Sequence, residues 1–217
     1  MLITVIVIYS SCKDTYIMPV IFYINFHKIL VIPVVVCMML ITGNMSVEAW
    51  VYLALHGTYS LLWLMKTHFY PDRHFTKPVP EWAGWLFIFL PLCGYFLAPW
   101  LLLSCHVSLP PAILGVVIAM FMLGVFLHYV ADAQKFYTLQ YRKGLIQEGL
   151  FSFSRNPNYL GEILIYLSLA IMSMHWIPFI VLAGWCVFFM RNMRKKDRSL
   201  SRYSDYEKYR KKTRILL

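Results

Sequence analysis

Eight consecutive residues, Arg155-Asn156-Pro157-Asn158-Tyr159-Leu160-Gly161-Glu162, hold a guanidinium, two amides and a carboxylate where a polar loop meets an apolar run. Asn156 is a good helix N-cap and Pro157 is pre-set for the first helical position, so a helix is expected to start here. The free N–H groups of a helix start form an anion site. Arg155 adds a fixed charge and a fork suited to phosphate. Asn158, Glu162 and Tyr166 recur every four residues, on one helical face. Glu162 is the sole acidic residue between positions 159 and 190. A lone buried carboxylate costs several kcal/mol unless something meets it. A cofactor presenting an amide or hydroxyl donor would do so; the plainer alternative is a capped helix whose glutamate pairs with a basic side chain. Gly161 removes a side chain beside Glu162 and leaves room for a neighbour or ligand.

Two further constellations stand out. Glu48, Tyr52, His56, Tyr59 and Trp63 follow spacings of four, four, three and four, a polar stripe on one side of a helix. It reads either as interhelical hydrogen bonding with aromatic interface anchors or as a wall facing a substrate. In the C-terminal tail, Arg191, Arg194, Lys195, Lys196 and Arg198 crowd one helical stretch, and Tyr203, Tyr206 and Tyr209 follow at spacings of three. The tail reads as a lipid-headgroup binder or as a lid over a dinucleotide. There is no GxGxxG, so phosphate recognition would come from side chains and helix ends. Five scattered cysteines give no disulfide framework or zinc site, and seven dispersed histidines give no di-iron box; no metal is expected.

The elements that must position these groups are membrane helices. The chain is 60% hydrophobic, with a mean hydropathy of +0.62 over 217 residues, too apolar for a soluble domain. An all-α polytopic transmembrane bundle is expected, with spans at about 26–42, 47–65, 82–104 and 112–130. The run 159–190 is too long for one span and fits a hairpin turning at Met174–Pro178. That makes about six helices in one domain, 26–217, ending in a basic tail. Residues 1–25 remain an N-terminal extension whose structure is open; Met1–Tyr9 lacks the features of a signal peptide. Residues 132–155 read as a polar loop. With a cytoplasmic N-terminus, all twenty Lys and Arg fall on the cytoplasmic side, including the tail that holds eleven of them. The net charge of +10 therefore points to membrane lipids and anions near the surface rather than to nucleic acid.

Gly149-Leu150-Phe151, followed by the Arg155–Glu162 stretch, resembles the signature of the steroid 5α-reductase C-terminal domain family, a group of DUF1295-like membrane reductases. The resemblance covers roughly residues 125–217. It implies a multi-helix membrane enzyme that binds NADPH from the cytoplasmic side. Asn158 and Glu162 would face the nicotinamide half, with Tyr159 between them in the motif. Asp132, with His128 one turn earlier, would form the polar end of the preceding helix. Arg155, Arg191 and Arg210 would hold phosphates, Tyr206 would serve the adenine end, and Lys195 stands where steroid reductases carry a histidine. Those enzymes also polarise the substrate carbonyl from their N-terminal half; here Tyr59 is the first choice, with His56 and Glu48 beside it. The expected reaction is reduction of a carbonyl-conjugated C=C bond in a lipid within the bilayer, in the endoplasmic reticulum membrane if the protein is eukaryotic and the inner membrane if bacterial. Isoprenylcysteine and phospholipid methyltransferases share an Arg-x-Pro-x-Tyr-x-Gly pattern and bind S-adenosylmethionine. Asn158, Glu162 and a tail reading Lys195-Lys196-Asp197 rather than Glu-Glu favour the reductase. A non-catalytic membrane scaffold is the third alternative.

Overall fold

The computed structural model describes residues 17–216; most of the N-terminal extension, Met1–Tyr9 included, lies outside them. The chain enters through a short strand, β1 (Ile17–Pro19), paired antiparallel with β2 (Pro78–Pro80). The pairing ties the start of helix α1 (Val20–Thr42) to the loop after helix α2 (Val47–Phe69), and Val20 N–H donates to the Lys77 carbonyl. Helix α1 begins six residues earlier than the sequence suggests, which moves Lys28 from a helix end to its third turn. It ends at Gly43, whose φ of 66° supplies the left-handed cap that side chains avoid. Ser46 caps α2 by accepting from the Ala49 N–H.

Helix α3 (Glu81–Ser104) is irregular: a π-turn at Trp85–Phe89 and a 3₁₀ turn at Gly94–Phe96 interrupt it. Pro91 and Pro99 lack the N–H that a regular ladder needs, which accounts for the shifted bonding. Helix α4 (Pro111–Tyr141) has 31 residues and reaches about 46 Å, well beyond a hydrocarbon core of about 30 Å. Residues 131–141, read from sequence as loop, are its last turns; their polar side chains bond to neighbouring elements instead of breaking the helix. Helices α5 (Pro157–Met172) and α6 (Ile177–Leu200) form the expected hairpin through residues 173–176. Helix α7 (Tyr206–Lys212) closes the described chain.

The fold is thus an all-α polytopic bundle. Helices α1, α3, α4 and α6 are each long and apolar enough to cross a membrane, and α5 is a shorter apolar helix. Its outer faces carry exposed Ile41, Leu61, Phe87, Val116 and Ile180, as a lipid-facing surface requires. Val31, Tyr52, Leu102, Phe121, Ile165 and Met172 fill the centre. The closest crossing is α4 on α5, where Gly124 and Gly161 let the backbones meet.

Candidate functional site

Inside this apolar bundle lies a layer of ionisable and aromatic groups. Lys28 of α1 is buried. Its ammonium donates to the Tyr166 hydroxyl of α5 at 2.8 Å and sits 4.1 Å from the ring centre of Tyr59 on α2. Tyr166 is sandwiched: Tyr95 of α3 stacks on it at 3.6 Å, while Tyr59 meets it edge-on at 5.6 Å. Cation–π contact with a desolvated ammonium contributes about 2 kcal/mol, less than the several kcal/mol that burying a charge costs. Lys28 is therefore a site of concentrated electrostatic cost, with the Glu162 carboxylate in its field. Around it the hydroxyls of Tyr59 and Tyr95 and Nε2 of His56 are buried without a hydrogen-bond partner among the described residues. His56 Nδ1 lies 3.3 Å from the Tyr52 hydroxyl.

One turn towards the charged end of the bundle, α4 and α5 bring a second group together. The His128 ring bonds through Nδ1 to the Asn158 carbonyl at 3.1 Å, and its Nε2 lies 3.9 Å from the Asp132 carboxylate. Asp132 is ion-paired with Lys66 of α2, both shielded from solvent. The Asn158 side-chain oxygen is buried with no partner among the described residues. Glu162, half-buried, lies in the field of Lys28, Lys66 and Asp132 and is ion-paired with none of them. Tyr159 turns away and packs on Phe189 at 5.1 Å. A cavity of about 320 Å³ opens beside this group, lined by Lys66, Asp132, Tyr70, Arg73, Lys135 and Phe136 among others. At its mouth Asp72 pairs with Lys135 at 3.0 Å. Burial works to raise the Asp72 carboxyl; the Lys135 ammonium and the His74 N–H outweigh it and hold it below its usual range.

The motif's first two residues serve a different end. Arg155 is buried, and its guanidinium grips Asp197 of α6 through Nε and Nη2, each at 3.1 Å. Its Nη1 donates to the carbonyls of Arg210 and Thr213. Its backbone N–H donates to the Arg214 carbonyl at 3.0 Å. The Asn156 amide donates to the Ile215 carbonyl and accepts from Lys196. Asn156 occupies the N-cap position but makes no side-chain cap bond, so its expected capping role passes to a tail contact. Tyr209 donates to the Phe151 carbonyl at 2.8 Å. Together these bonds clasp the 149–156 loop around the tail.

Of the residues singled out from sequence, Tyr59, His56, Asp132, Asn158 and Glu162 converge on the buried layer. Glu48 does not. It sits in the first turn of α2 and accepts from Leu109 N–H at 3.0 Å, eleven residues and about 16 Å from Tyr59. Arg155 is engaged in the clasp, whereas Arg191 and Lys195 are exposed on the outer face of α6. The Arg210 side chain is exposed beside Glu207, and only its carbonyl meets Arg155. Tyr206 is buried against the clasp. Gly161 admits a neighbour rather than a ligand: a Cβ there would stand 2.4 Å from the His128 backbone nitrogen. Sequence reasoning missed Lys28, Lys66 and Tyr95. The two lysines read as ordinary helix ends; the signal that could have found Lys28 is its place two turns after Pro19, inside rather than before the apolar run.

No curated protein sequence matches the chain significantly. Residues 24–213, nearly all of the described helices, match DUF1295, a family described as a protein of unknown function. With the buried layer, most of the clasp and nearly all of every helix inside that match, the chain belongs to the DUF1295 family.

Proposed function

We propose that the protein is a membrane-bound, NADPH-dependent reductase of a carbonyl-conjugated C=C bond in a lipid, with its clasped tail and both termini on the cytoplasmic side. The observation that carries this reading is the pair Asn158 and Glu162: an amide oxygen and a carboxylate without partners among the described residues, one turn apart on α5, with Asn158 linked through His128 to the Asp132 that lines the cavity. They fit the carboxamide end of a nicotinamide, which presents N–H donors to acceptors of this kind. The cavity volume of about 320 Å³ falls within the range of small-molecule pockets, about 300–1,000 Å³.

Such a cofactor supplies a hydride when bound; the rest falls to the chain's own side chains. Asn158 and Glu162 orient the nicotinamide end, and His128 and the Asp132–Lys66 pair hold α4 and α2 in place around them. Arg73 and Lys135 supply positive charge at the cavity mouth, and Arg191 and Lys195 supply it on α6. Arg155 contributes by fixing the tail. The aromatic layer around Tyr59 and Tyr166 excludes water from the reacting end.

The test is thermal unfolding of the purified protein with NADPH, NADH and S-adenosylmethionine. NADPH at a hundred times its dissociation constant stabilises by about 2.7 kcal/mol. Glu162→Gln and Asn158→Ala are each expected to weaken NADPH binding by about tenfold, or about 1.4 kcal/mol. Stabilisation by S-adenosylmethionine alone would sink the reductase in favour of a methyltransferase.

A further inference from the structure

The connection from α2 to β2 runs along the 320 Å³ cavity as a strap, with Tyr70, Asp72 and Arg73 in the cavity wall. Both of its ends are tied. Tyr70 N–H donates to the Lys66 carbonyl, and beyond the 3₁₀ turn at Arg73–Thr76 the chain enters the pairing of β2 with β1. Between those ends, its polar hold on α4 among the described residues is the Asp72–Lys135 ion pair. The Asp72 carboxylate divides its work. Oδ1 accepts from His74 N–H at 2.8 Å and shapes the turn, while Oδ2 accepts from Lys135 at 3.0 Å. The turn therefore keeps its cap when the pair with Lys135 breaks. The pair is open to water, its side chains 28% and 39% exposed, and ion pairs in that setting are weak and exchangeable.

The charges along the wall point to what exchanges with it. Deeper in, Lys66 is matched by Asp132. At the mouth Lys135 is matched by Asp72, and Arg73 lines the same cavity without a carboxylate partner among the described residues. A phosphate bonds an ammonium and a guanidinium fork together, whereas Asp72 meets Lys135 alone. We propose that Lys135 and Arg73 form a phosphate site at the cavity mouth, that Asp72 fills it as a substitute anion, and that the strap at 70–77 is freed from α4 when a phosphate takes the place of Asp72. This rests on the reductase reading only for the source of the phosphate. A soluble dinucleotide supplies it on that reading; the headgroup of a phosphatidic acid in the adjoining leaflet is the other source.

The experiment uses the full chain in phosphatidylcholine nanodiscs, with inorganic pyrophosphate as the probe, titrated by calorimetry. Asp72→Asn keeps an oxygen for the His74 N–H and loses the charge; it is expected to bind pyrophosphate about fivefold more tightly than wild type, and Lys135→Gln about fivefold more weakly. Hydrogen exchange at residues 70–77 is expected to be faster in both variants without ligand, and in wild type only once pyrophosphate is present. The two variants thus loosen the strap alike and bind in opposite directions, which a merely structural ion pair would not produce. Equal pyrophosphate affinity in the two variants, or none in Asp72→Asn, would overturn the site. NADPH affinities that follow the pyrophosphate order assign the phosphate to a dinucleotide. NADPH indifferent to both substitutions, with phosphatidic acid added to the nanodiscs competing against pyrophosphate, would keep the site and count against the reductase.

Discussion

A side chain at position 161 would have nowhere to go. The atoms a Cβ would meet, His128 N at 2.4 Å and Gly124 O at 2.5 Å, are backbone and cannot rotate aside. Gly161→Ala is therefore expected to push α4 from α5 and cost about 1–3 kcal/mol, a fall of several degrees in unfolding midpoint for a chain of this size. Gly184→Ala, where nothing lies within 4 Å, is the matched control and should leave the midpoint unchanged; a scan of both variants in detergent decides it. The same residue shows how far sequence reading goes. That Gly161 makes room was legible; that the room goes to a helix was not, because spacing along α5 contains no information about α4. Lys28 is the sharper case. Its chemistry is invisible until α1 is known to start at Val20, and that start depends on the pairing of Pro19 with Pro78, 59 residues away in the chain.

At the scale of elements, the loop before α5 and the tail after α6 act as one unit. Asp197 meets the Arg155 fork in a shielded setting, and removing one partner of such a pair leaves a charge unmatched, at a cost of about 3–5 kcal/mol. Asp197→Ala is expected to release α7, read as rapid proteolysis between residues 201 and 216 while the membrane helices stay protected. If the tail stays as resistant as in wild type, the clasp does not hold it. The clasp also has an alkaline limit. Burial pushes the Tyr209 hydroxyl up to about 12, against the opposing pull of Arg155. A raised folded-state value means that stability is whole below the ordinary tyrosine value of 10.0 and is lost as pH rises through about 12. Tail proteolysis should therefore accelerate between pH 10 and 12, and Tyr209→Phe, which cannot ionise, should shift that onset upward. The helix hairpin of α5 and α6 was legible from the length of the apolar run alone. The last turns of α4 were not: Asp132, Gln134 and Lys135 look like loop until Lys66, the Glu148 carbonyl and Asp72 are seen to receive them.

For the whole molecule, the governing fact is an asymmetry between the two ends of the bundle. The turns at 43–46, 105–110 and 173–176 contain no Lys or Arg, whereas the connections at 70–80 and 142–156 and the stretch 201–216 hold most of those outside helices. Membranes orient such chains with the basic end towards the cytoplasm. The 320 Å³ cavity and the clasp share that basic end, so an anionic ligand of the proposed kind would meet positive charge on its way in. Two positions read this out. Cys105 is exposed at the basic-free end and Ser204 at the basic end. In a variant whose only cysteine is Cys105, an impermeant maleimide should react from the non-cytoplasmic side alone. In a cysteine-free variant carrying Ser204→Cys it should react only after the cytoplasmic side is opened. Labelling of both from the same side would mean that an odd number of crossings does not separate them, and the hairpin of α5 and α6 would have to be redrawn. Reversal of both would leave the bundle intact but turn its cavity outward, away from any cytoplasmic dinucleotide, and would count against the proposed reductase.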